Sequence, residues 1–215
     1  MRAWLTHHAW CTRQSWATGG AAFFSSGLQT RPMAKMVLHS TETTTFPGYR
    51  SGADNPHFTI DLESGETRQH VPLTHGARAL QILATNQANN GGVVQIEVIG
   101  ACTPGYPAKH GHYDLVNRLP SDVRAQGFLA RLMRAIADET GIPLTSGVEW
   151  WRYPGSYGQT SIRLSVNAYL SYRGVLGHMH VPGNAHGDPG VIPIRVILDL
   201  ARGGADVTPP PATNP

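Results

Sequence analysis

Residues 177–190 read GHMHVPGNAHGDPG, and this segment is the most informative part of the chain. It places three imidazoles, those of His178, His180 and His186, in one loop with the carboxylate of Asp188. Imidazole nitrogens and carboxylate oxygens are ligands that zinc and other divalent cations accept. The segment therefore predicts a metal site whose ligands come in part from this loop.

A further histidine lies far upstream, at the end of the short apolar run 36–39. A side chain at the end of a strand can project into a cleft, so His39 is a candidate third ligand. Two histidines and one carboxylate leave a fourth position for water, which is typical of a catalytic zinc site. A four-histidine site stays open, because His178 and His180 would share a face of an extended segment. We expect His180 instead to be a buried hydrogen-bonding residue.

The pattern of apolar residues predicts strands separated by turns. The segment 93–100 is dense in β-branched residues, which is typical of a central strand covered on both faces. The step from Ser64 to Gly65 favours a hairpin between two other strands. The predicted strands are 35–39, 57–61, 67–72 and 93–100.

Helical periodicity is clearest in residues 121–140, where apolar residues recur every four positions. Ser121 is a candidate N-cap and Gly141 a candidate terminator of this helix. Asp122 is also of a capping residue type. Further helices are expected over 76–88 and 192–202. Strands mixed with helices predict a single α/β domain with a central mixed sheet flanked by helices.

Composition limits the class of protein. A chain of 215 residues with 14% charged residues and abundant glycine fits one loop-rich domain. It contains no cluster of Lys and Arg that would indicate nucleic-acid binding, no Gly-x-Ser-x-Gly motif, and no apolar run of the ~18 residues that a membrane span needs. Cys11 and Cys102 are too few for a disulfide scaffold, although they could pair outside a cell. We expect a monomer.

The two ends of the sequence differ from its centre. Residues 1–30 lack clear periodicity and predict an irregular arm packed on the domain, or part of an upstream segment. Residues 204–215 are rich in proline, which is typical of an extended linker or of a frayed tail. The first 30 residues contain no continuous apolar segment, so no signal peptide is expected.

Four motifs, in order, resemble those of a known enzyme family. They are 37–39 (VLH), 56–61 (PHFTID), 94–100 (VQIEVIG) and 177–190. The chain is similar over residues 31–203 to the zinc-dependent N-acetylmuramoyl-L-alanine amidases, which share a fold with the peptidoglycan recognition proteins. The likeness is strongest to amidase domains of bacteriophage endolysins that act on actinobacterial walls.

The resemblance implies roles for particular residues. One zinc ion per chain would be held by His39, His178 and Asp188. Glu97 would act as general base and then as general acid, unless it only forms a salt bridge with an arginine. His186 stands where many relatives carry lysine, so its support of an oxyanion would depend on pH. The substrate-binding residues implied are His57, Thr41 and Asn86.

The implied function is hydrolysis of the amide bond between N-acetylmuramic acid and L-alanine in peptidoglycan. A phage endolysin would be made in the host cytoplasm and reach the cell wall without its own signal peptide; secretion is the alternative route. Two other functions stay open, a peptidoglycan-binding module without activity and a zinc peptidase acting on the stem peptide. The full ligand set disfavours the first, and Glu97 within its motif disfavours the second.

Overall fold

A six-stranded mixed sheet forms the centre of the computed structural model, which describes residues 1–13, 25–81 and 87–203. Buried clusters on its two faces join it to the helices, so the predicted single α/β domain is confirmed. The strands are Cys11–Arg13 (β1), Lys35–Ser40 (β2), Phe58–Ile60 (β3), Thr67–Gln69 (β4), Val93–Val98 (β5) and Gly174–Gly177 (β6). The helices are Tyr49–Gly52 (α1), Gln87–Asn90 (α2), Tyr106–His110 (α3), Val123–Thr140 (α4), Val166–Ser171 (α5) and Ile194–Gly203 (α6), with 3₁₀ helices at Leu119–Ser121 and His178–His180.

The order of the strands brings the candidate site residues to one edge of the sheet. The order is β1-β4-β3-β5-β2-β6, in which β3 and β4 are antiparallel and all other neighbours are parallel. His39 on β2 lies directly opposite Glu97 on β5, and Thr59 on β3 lies on the other side of Glu97. Ligands of such sheets bind outside the carboxyl ends of the strands, where these residues are placed.

Alternation along β2 and β5 separates the core from the site. Met36, Leu38 and Ile96 belong to the larger buried cluster, which includes α4 and α6. Successive side chains of a strand point to opposite faces. His39 and Glu97 are therefore on the face away from α4, and their strands are buried along their whole length, as predicted for a central strand.

Helix α4 confirms the strongest helical prediction, but its N-cap differs from the predicted one. The side chain of Asp122 accepts a hydrogen bond from the Ala125 N–H at 3.0 Å. Ser121 is the last residue of a 3₁₀ helix and is displaced from the capping position. Serine and aspartate are comparable caps, so residue type did not decide between them. Gly141 ends the helix with a left-handed φ of 70°, as expected.

Residues 76–81 are not helical, so this part of the predicted helix 76–88 is wrong. Their N–H groups are bound by other parts of the chain. Ala79 donates to the side chain of Gln95 at 2.9 Å, and Leu80 donates to the side chain of Asn89 at 3.2 Å. The helical residues in this region are α2, and residues 82–86 lie outside the described residues.

Strands β1 and β6 were not predicted from the sequence. β1 lies within the predicted irregular arm and pairs with β4, so residues 11–13 are part of the sheet. β6 pairs with β2 and leads directly into His178. Both strands are short, and β6 contains two glycines, which weakens any periodic signal.

The predicted hairpin is confirmed between β3 and β4, although both strands are shorter than expected. Asp61 organises the turn, because its carboxylate accepts from the N–H of Glu63 at 2.9 Å and from the hydroxyl of Ser64 at 2.6 Å. Gly65 has a φ of +77°, and a Cβ there would lie 2.9 Å from the ring of Phe128. A side chain at residue 65 would therefore strain both the turn and the core.

Several predictions concern residues at the ends of the chain and at the cysteines. Cys11 and Cys102 are both buried and free. Residues 14–24 of the predicted arm and the predicted proline-rich tail 204–215 lie outside the described residues. In the part of the chain that the structure describes, no helix is long and apolar enough to cross a membrane.

Lys35 should destabilise the fold at neutral pH. Its side chain is fully buried, its ammonium has no hydrogen-bond partner among the described residues, and it lies 5.0 Å from the centre of the Tyr169 ring. Burial, with Arg31 and Arg173 nearby, lowers the pKa of Lys35 to about 8. Below pH 8 the amine is charged in both the folded and unfolded states, so burial of the charge opposes folding. We expect Lys35→Met to stabilise the protein by up to about 3 kcal/mol there.

The pH dependence of the stability gained by Lys35→Met tests whether burial of the charge is its cause. Between pH 8 and the unfolded value of about 10.5, the folded lysine is neutral while the unfolded one still binds a proton, so wild-type stability rises. The advantage of Lys35→Met should shrink across this range in urea unfolding experiments. An advantage that is constant with pH would assign the effect to packing instead.

Candidate metal centre and surrounding cleft

The structure brings His39, His178 and Asp188 together although they are far apart in sequence. The Nδ1 atoms of the two histidines are 3.0 Å apart, and His178 Nδ1 is 3.2 Å from Asp188 Oδ1. His39 Nδ1 lies 3.8 Å from Asp188 Oδ2. All three side chains are buried, and one ligand atom from each lies within 4.8 Å of the others.

These separations suit a common cation. Bonds of about 2.0–2.2 Å to a tetrahedral zinc ion place its ligand atoms roughly 3.3 Å from one another. Burial, with His178 close by, holds the pKa of His39 well below its usual range, so His39 is neutral and can offer a lone pair. Burial opposes ionisation of Asp188, but the two histidines and the Ser40 N–H hold its pKa below the usual range. The cluster therefore presents two imidazoles and one carboxylate.

Two neighbours orient the ligands from behind. The side-chain oxygen of Asn184 lies 2.9 Å from His178 Nε2, which fixes the proton on Nε2 and leaves Nδ1 available. The backbone N–H of Ser40 donates to Asp188 Oδ2 at 3.0 Å. The Ser40 hydroxyl in turn donates to Glu42 Oε1 at 2.8 Å. The site is thus preorganised by groups that the sequence motifs did not reveal.

Replacing Asn184 with alanine should lower metal affinity by about 10–100-fold, because His178 loses the partner that fixes its tautomer. The same oxygen accepts from the Gln81 N–H at 3.0 Å, so segment 78–81 should also loosen. Competition with a chromophoric chelator measures the affinity. Asn167→Ala, at an exposed position on α5, is the matched control. An affinity within threefold of wild type would show that Asn184 does not orient the ligand.

Glu97 lies beside the cluster in the same cavity. Its Oε1 atom is 3.9 Å from His39 Nδ1, and its buried Oε2 atom has no hydrogen-bond partner among the described residues. Burial, with Asp188 and Glu42 nearby, raises the pKa of Glu97 well above its usual range. No arginine forms an ion pair with Glu97 in the part of the chain that the structure describes. The geometry suits a carboxyl group that exchanges a proton with a molecule in the cavity.

The cavity around the cluster is small and open on one side, with a volume of about 160 Å³. His186 stands at its rim with 63% of its side chain exposed, and its ring stacks on that of His178 at 4.8 Å between centroids. Burial and the neighbouring His178 lower the pKa of His186, so its ring is neutral at pH 7. The imidazolium expected from the sequence is therefore disfavoured in this structure. The residues lining the cavity are His39, Ser40, Ala79, Gln81, Glu97, His178, Asn184, His186 and Asp188.

His180 has the structural role expected for it. It is fully buried, its Nδ1 accepts from the Gly177 N–H at 2.8 Å, and its Nε2 lies 2.7 Å from the Glu149 carbonyl oxygen. The segment from His178 to His180 is a 3₁₀ helix and not an extended strand, so the two rings do not share a face. A four-histidine site is accordingly not formed.

The predicted substrate-binding residues fall in three different places. His57 is fully buried, with Nε2 2.8 Å from the His75 carbonyl oxygen and Nδ1 accepting from the Gln95 N–H at 3.0 Å. This arrangement gives His57 a role in joining the start of β3 to β5, and a substrate contact by His57 stays a prediction. The Thr41 hydroxyl accepts from the Thr43 N–H at 3.2 Å, so it stabilises the turn after β2, and a substrate contact stays a prediction. Asn86 lies outside the described residues.

Arg163 is a structurally important residue that the sequence analysis missed. Its terminal nitrogens donate to the carbonyl oxygens of His186 at 2.8 Å and Val181 at 3.2 Å, and more weakly to that of His178 at 3.4 Å. Its Nε donates to the Gly158 carbonyl. The guanidinium thus ties the loop that carries two of the three ligands to the segment before it. A single arginine outside any motif gives no sequence signal for such a role.

Comparison with known proteins places this site in a recognisable fold. A crystal structure of the Staphylococcus aureus hydrolase AmiA in complex with its ligand superposes with a TM-score of 0.52 over 89% of this chain and 82% of that one, at 12% identity. The chain has the fold of this hydrolase. The amidase LysC from Clostridium intestinale and the catalytic domain of PlyG superpose less well, with TM-scores of 0.48 and 0.47, identities of 13% and 11%, and coverage of 87% and 94% of this chain and 93% and 98% of theirs. No protein-family model and no curated protein matches the sequence.

Proposed function

We propose that residues 31–203 form a zinc-dependent N-acetylmuramoyl-L-alanine amidase, which cleaves the amide bond between N-acetylmuramic acid and L-alanine in peptidoglycan. The observation that carries this proposal is the buried His39, His178 and Asp188 cluster with Glu97 beside it in one cavity. Support comes from the AmiA-like fold and from the order of the four sequence motifs.

The ligand set favours one zinc ion per chain. Two imidazoles and one carboxylate are a common catalytic zinc set, and hard cations such as Mg²⁺ prefer oxygen ligands alone. When bound, zinc polarises the scissile carbonyl and lowers the pKa of water. His39, His178 and Asp188 would hold the ion, and Glu97, whose Oε1 atom is 3.9 Å from His39 Nδ1, would lie beside it.

Glu97 moves the protons in the proposed reaction. As a carboxylate it removes a proton from the attacking water, and as a carboxylic acid it returns that proton to the nitrogen of L-alanine, which leaves as an amine. Burial raises the pKa of Glu97, and a raised pKa favours the second step because it holds the proton on Glu97 more firmly until the leaving nitrogen takes it. Its buried Oε2 atom has no hydrogen-bond partner among the described residues, so it is available to a molecule bound in the cavity.

His186 is proposed to stabilise the negative charge that develops on the carbonyl oxygen. It is at the rim of the cavity, and its neutral ring can donate one N–H hydrogen bond toward that oxygen. A neutral donor gives weaker stabilisation than the lysine common in the resembled family. Because the exposed ring can turn, the hydrogen bond need form only when substrate is present.

The proposal places the protein at the bacterial cell wall, acting as a monomeric endolysin domain. Recognition of peptidoglycan without cleavage is the first alternative function, and the complete ligand set with a carboxyl group beside it favours catalysis over binding alone. Cleavage inside the stem peptide is the second alternative. The choice depends on which bond of the substrate is held at the cluster.

A defined synthetic substrate separates these functions. Incubation of zinc-loaded protein with N-acetylmuramoyl-L-alanyl-D-isoglutamine should release N-acetylmuramic acid and the intact dipeptide, identified by mass. Release of D-isoglutamine together with N-acetylmuramoyl-L-alanine would instead indicate a peptidase. Binding without any product would indicate a recognition module, and neither binding nor cleavage of this substrate or of whole peptidoglycan would contradict the proposal.

A further inference from the structure

A second, larger cavity opens beside the metal cavity. Its volume is about 640 Å³, and Ala79 and Gln81 line both cavities. The two cavities therefore adjoin at segment 79–81, beside the metal cluster. The remaining lining residues of the larger cavity are Ser25, Ser26, Ala53, Asp54, Arg78, Leu80 and Asn89.

Arg78 gives this cavity a cationic group without a counter-charge. Its Nε donates to the Ser25 carbonyl at 2.9 Å, and its backbone N–H donates to the Asn55 carbonyl at 2.9 Å, so both ends of the residue are fixed. Its two terminal nitrogens have no hydrogen-bond or ion-pair partner among the described residues. A fixed guanidinium with two parallel N–H groups available matches the geometry of a carboxylate.

Two other polar side chains of this cavity, those of Asp54 and Asn89, are already engaged. The Asp54 carboxylate is bound by both Nε and Nη2 of Arg50, so it does not neutralise Arg78. Asn89 accepts from the Leu80 N–H and donates to the Leu80 carbonyl. Among the described lining residues, Arg78 is therefore a cation without a carboxylate partner, which suits a ligand that carries a negative charge.

The position of Arg78 is fixed relative to the metal cluster. Gln81, three residues later, donates its N–H to Asn184, and the same Asn184 oxygen holds His178. An extended peptide advances about 3.5 Å per residue. A carboxylate on the second residue of a stem peptide therefore lies within roughly 7 Å of the bond at the cluster, and the chain from residue 78 to residue 81 spans at most about 10 Å.

We infer that Arg78 binds the free α-carboxylate of the second stem-peptide residue, a glutamate that peptidoglycan carries either as the acid or as its amide. This inference rests on the proposed amidase function. The ion pair with Arg78 makes the enzyme selective for cell walls in which this glutamate is not amidated. It also directs the stem peptide along segment 78–81. Amidation removes the negative charge that pairs with the guanidinium, so the amidated substrate loses the bidentate ion pair.

Two analogues that differ in one group test the inference: N-acetylmuramoyl-L-alanyl-D-glutamate with a free α-carboxylate and its α-amide, both with the γ-carboxyl group blocked as an amide. For wild type, kcat/KM for the acid should exceed that for the amide by about tenfold. In Arg78→Ala this ratio should fall to about one, mostly through KM, and Arg78→Lys should retain part of it. Arg195→Ala, which removes an exposed charge on α6, should keep the wild-type ratio and controls for net charge.

Calorimetric titration of Glu97→Gln with the two analogues gives a second readout that does not require turnover. Arg78→Ala in that background should abolish the difference in Kd between acid and amide. Two results would overturn the inference while leaving the amidase function intact. One is an acid-to-amide ratio of kcat/KM that Arg78→Ala does not change. The other is an equal loss of affinity for both analogues in that variant. Cleavage of neither analogue by wild type would instead contradict the proposed function, and this inference with it.

Discussion

Glu97→Gln is expected to reduce amide hydrolysis by about 10³-fold while the protein keeps its metal and its fold. Glutamine has nearly the same shape as glutamate but cannot take a proton from water or return one to the leaving amine. Glu97 Oε1 is 3.9 Å from His39 Nδ1, so it stands next to the ligands without being one of the three. Loss of turnover should therefore be separable from loss of metal.

The measurement combines kcat on the synthetic substrate with metal content by mass spectrometry. Glu63→Gln, an exposed carboxylate on the hairpin between β3 and β4, is the matched control and should retain wild-type activity. Thermal unfolding checks that both variants fold. A Glu97→Gln protein with near wild-type turnover would remove Glu97 from the mechanism, and one without metal would make it a ligand.

His178→Ala should abolish tight metal binding as well as activity. Loss of the residue that orients this ligand is expected to cost about 10–100-fold in affinity, so loss of the ligand itself should cost more than about 100-fold. Metal binding also stabilises the folded state, by about 4 kcal/mol when the free ion is at 1,000 times its Kd. Added zinc should therefore raise the melting temperature of wild type and leave that of His178→Ala unchanged.

His110→Ala provides the comparison, because it removes an exposed imidazole from α3 without touching the cluster. Its melting temperature should respond to zinc as wild type does. If His178→Ala still binds zinc as tightly as wild type, the cluster assigned here is not the metal site.

The sheet and most of the candidate site followed from the sequence because they depend on short-range patterns. The dense β-branched run around Glu97 and the apolar run before His39 are strand signals. Two parallel strands that end together place these residues side by side, and the observed register has them directly opposite. The loop 177–190 supplies the other two ligands within one short segment, so little long-range information was needed.

The helix predicted over residues 76–81 was wrong, and two orienting residues were missed, because these features depend on contacts between separate segments. Residues 76–81 carry helical periodicity, but their N–H groups bind the side chains of Gln95 and Asn89. Arg163 and Asn184 orient the site through several hydrogen bonds of one side chain, which leave no recurring pattern in one sequence.

The most direct test of the central claim is the digestion of purified peptidoglycan before and after removal of metal. The account predicts intact stem peptides that begin with L-alanine, identified by mass, their loss after treatment with a chelator, and their recovery on addition of zinc. Equal release of these peptides by the metal-free protein, with its zinc content verified as absent, would contradict it.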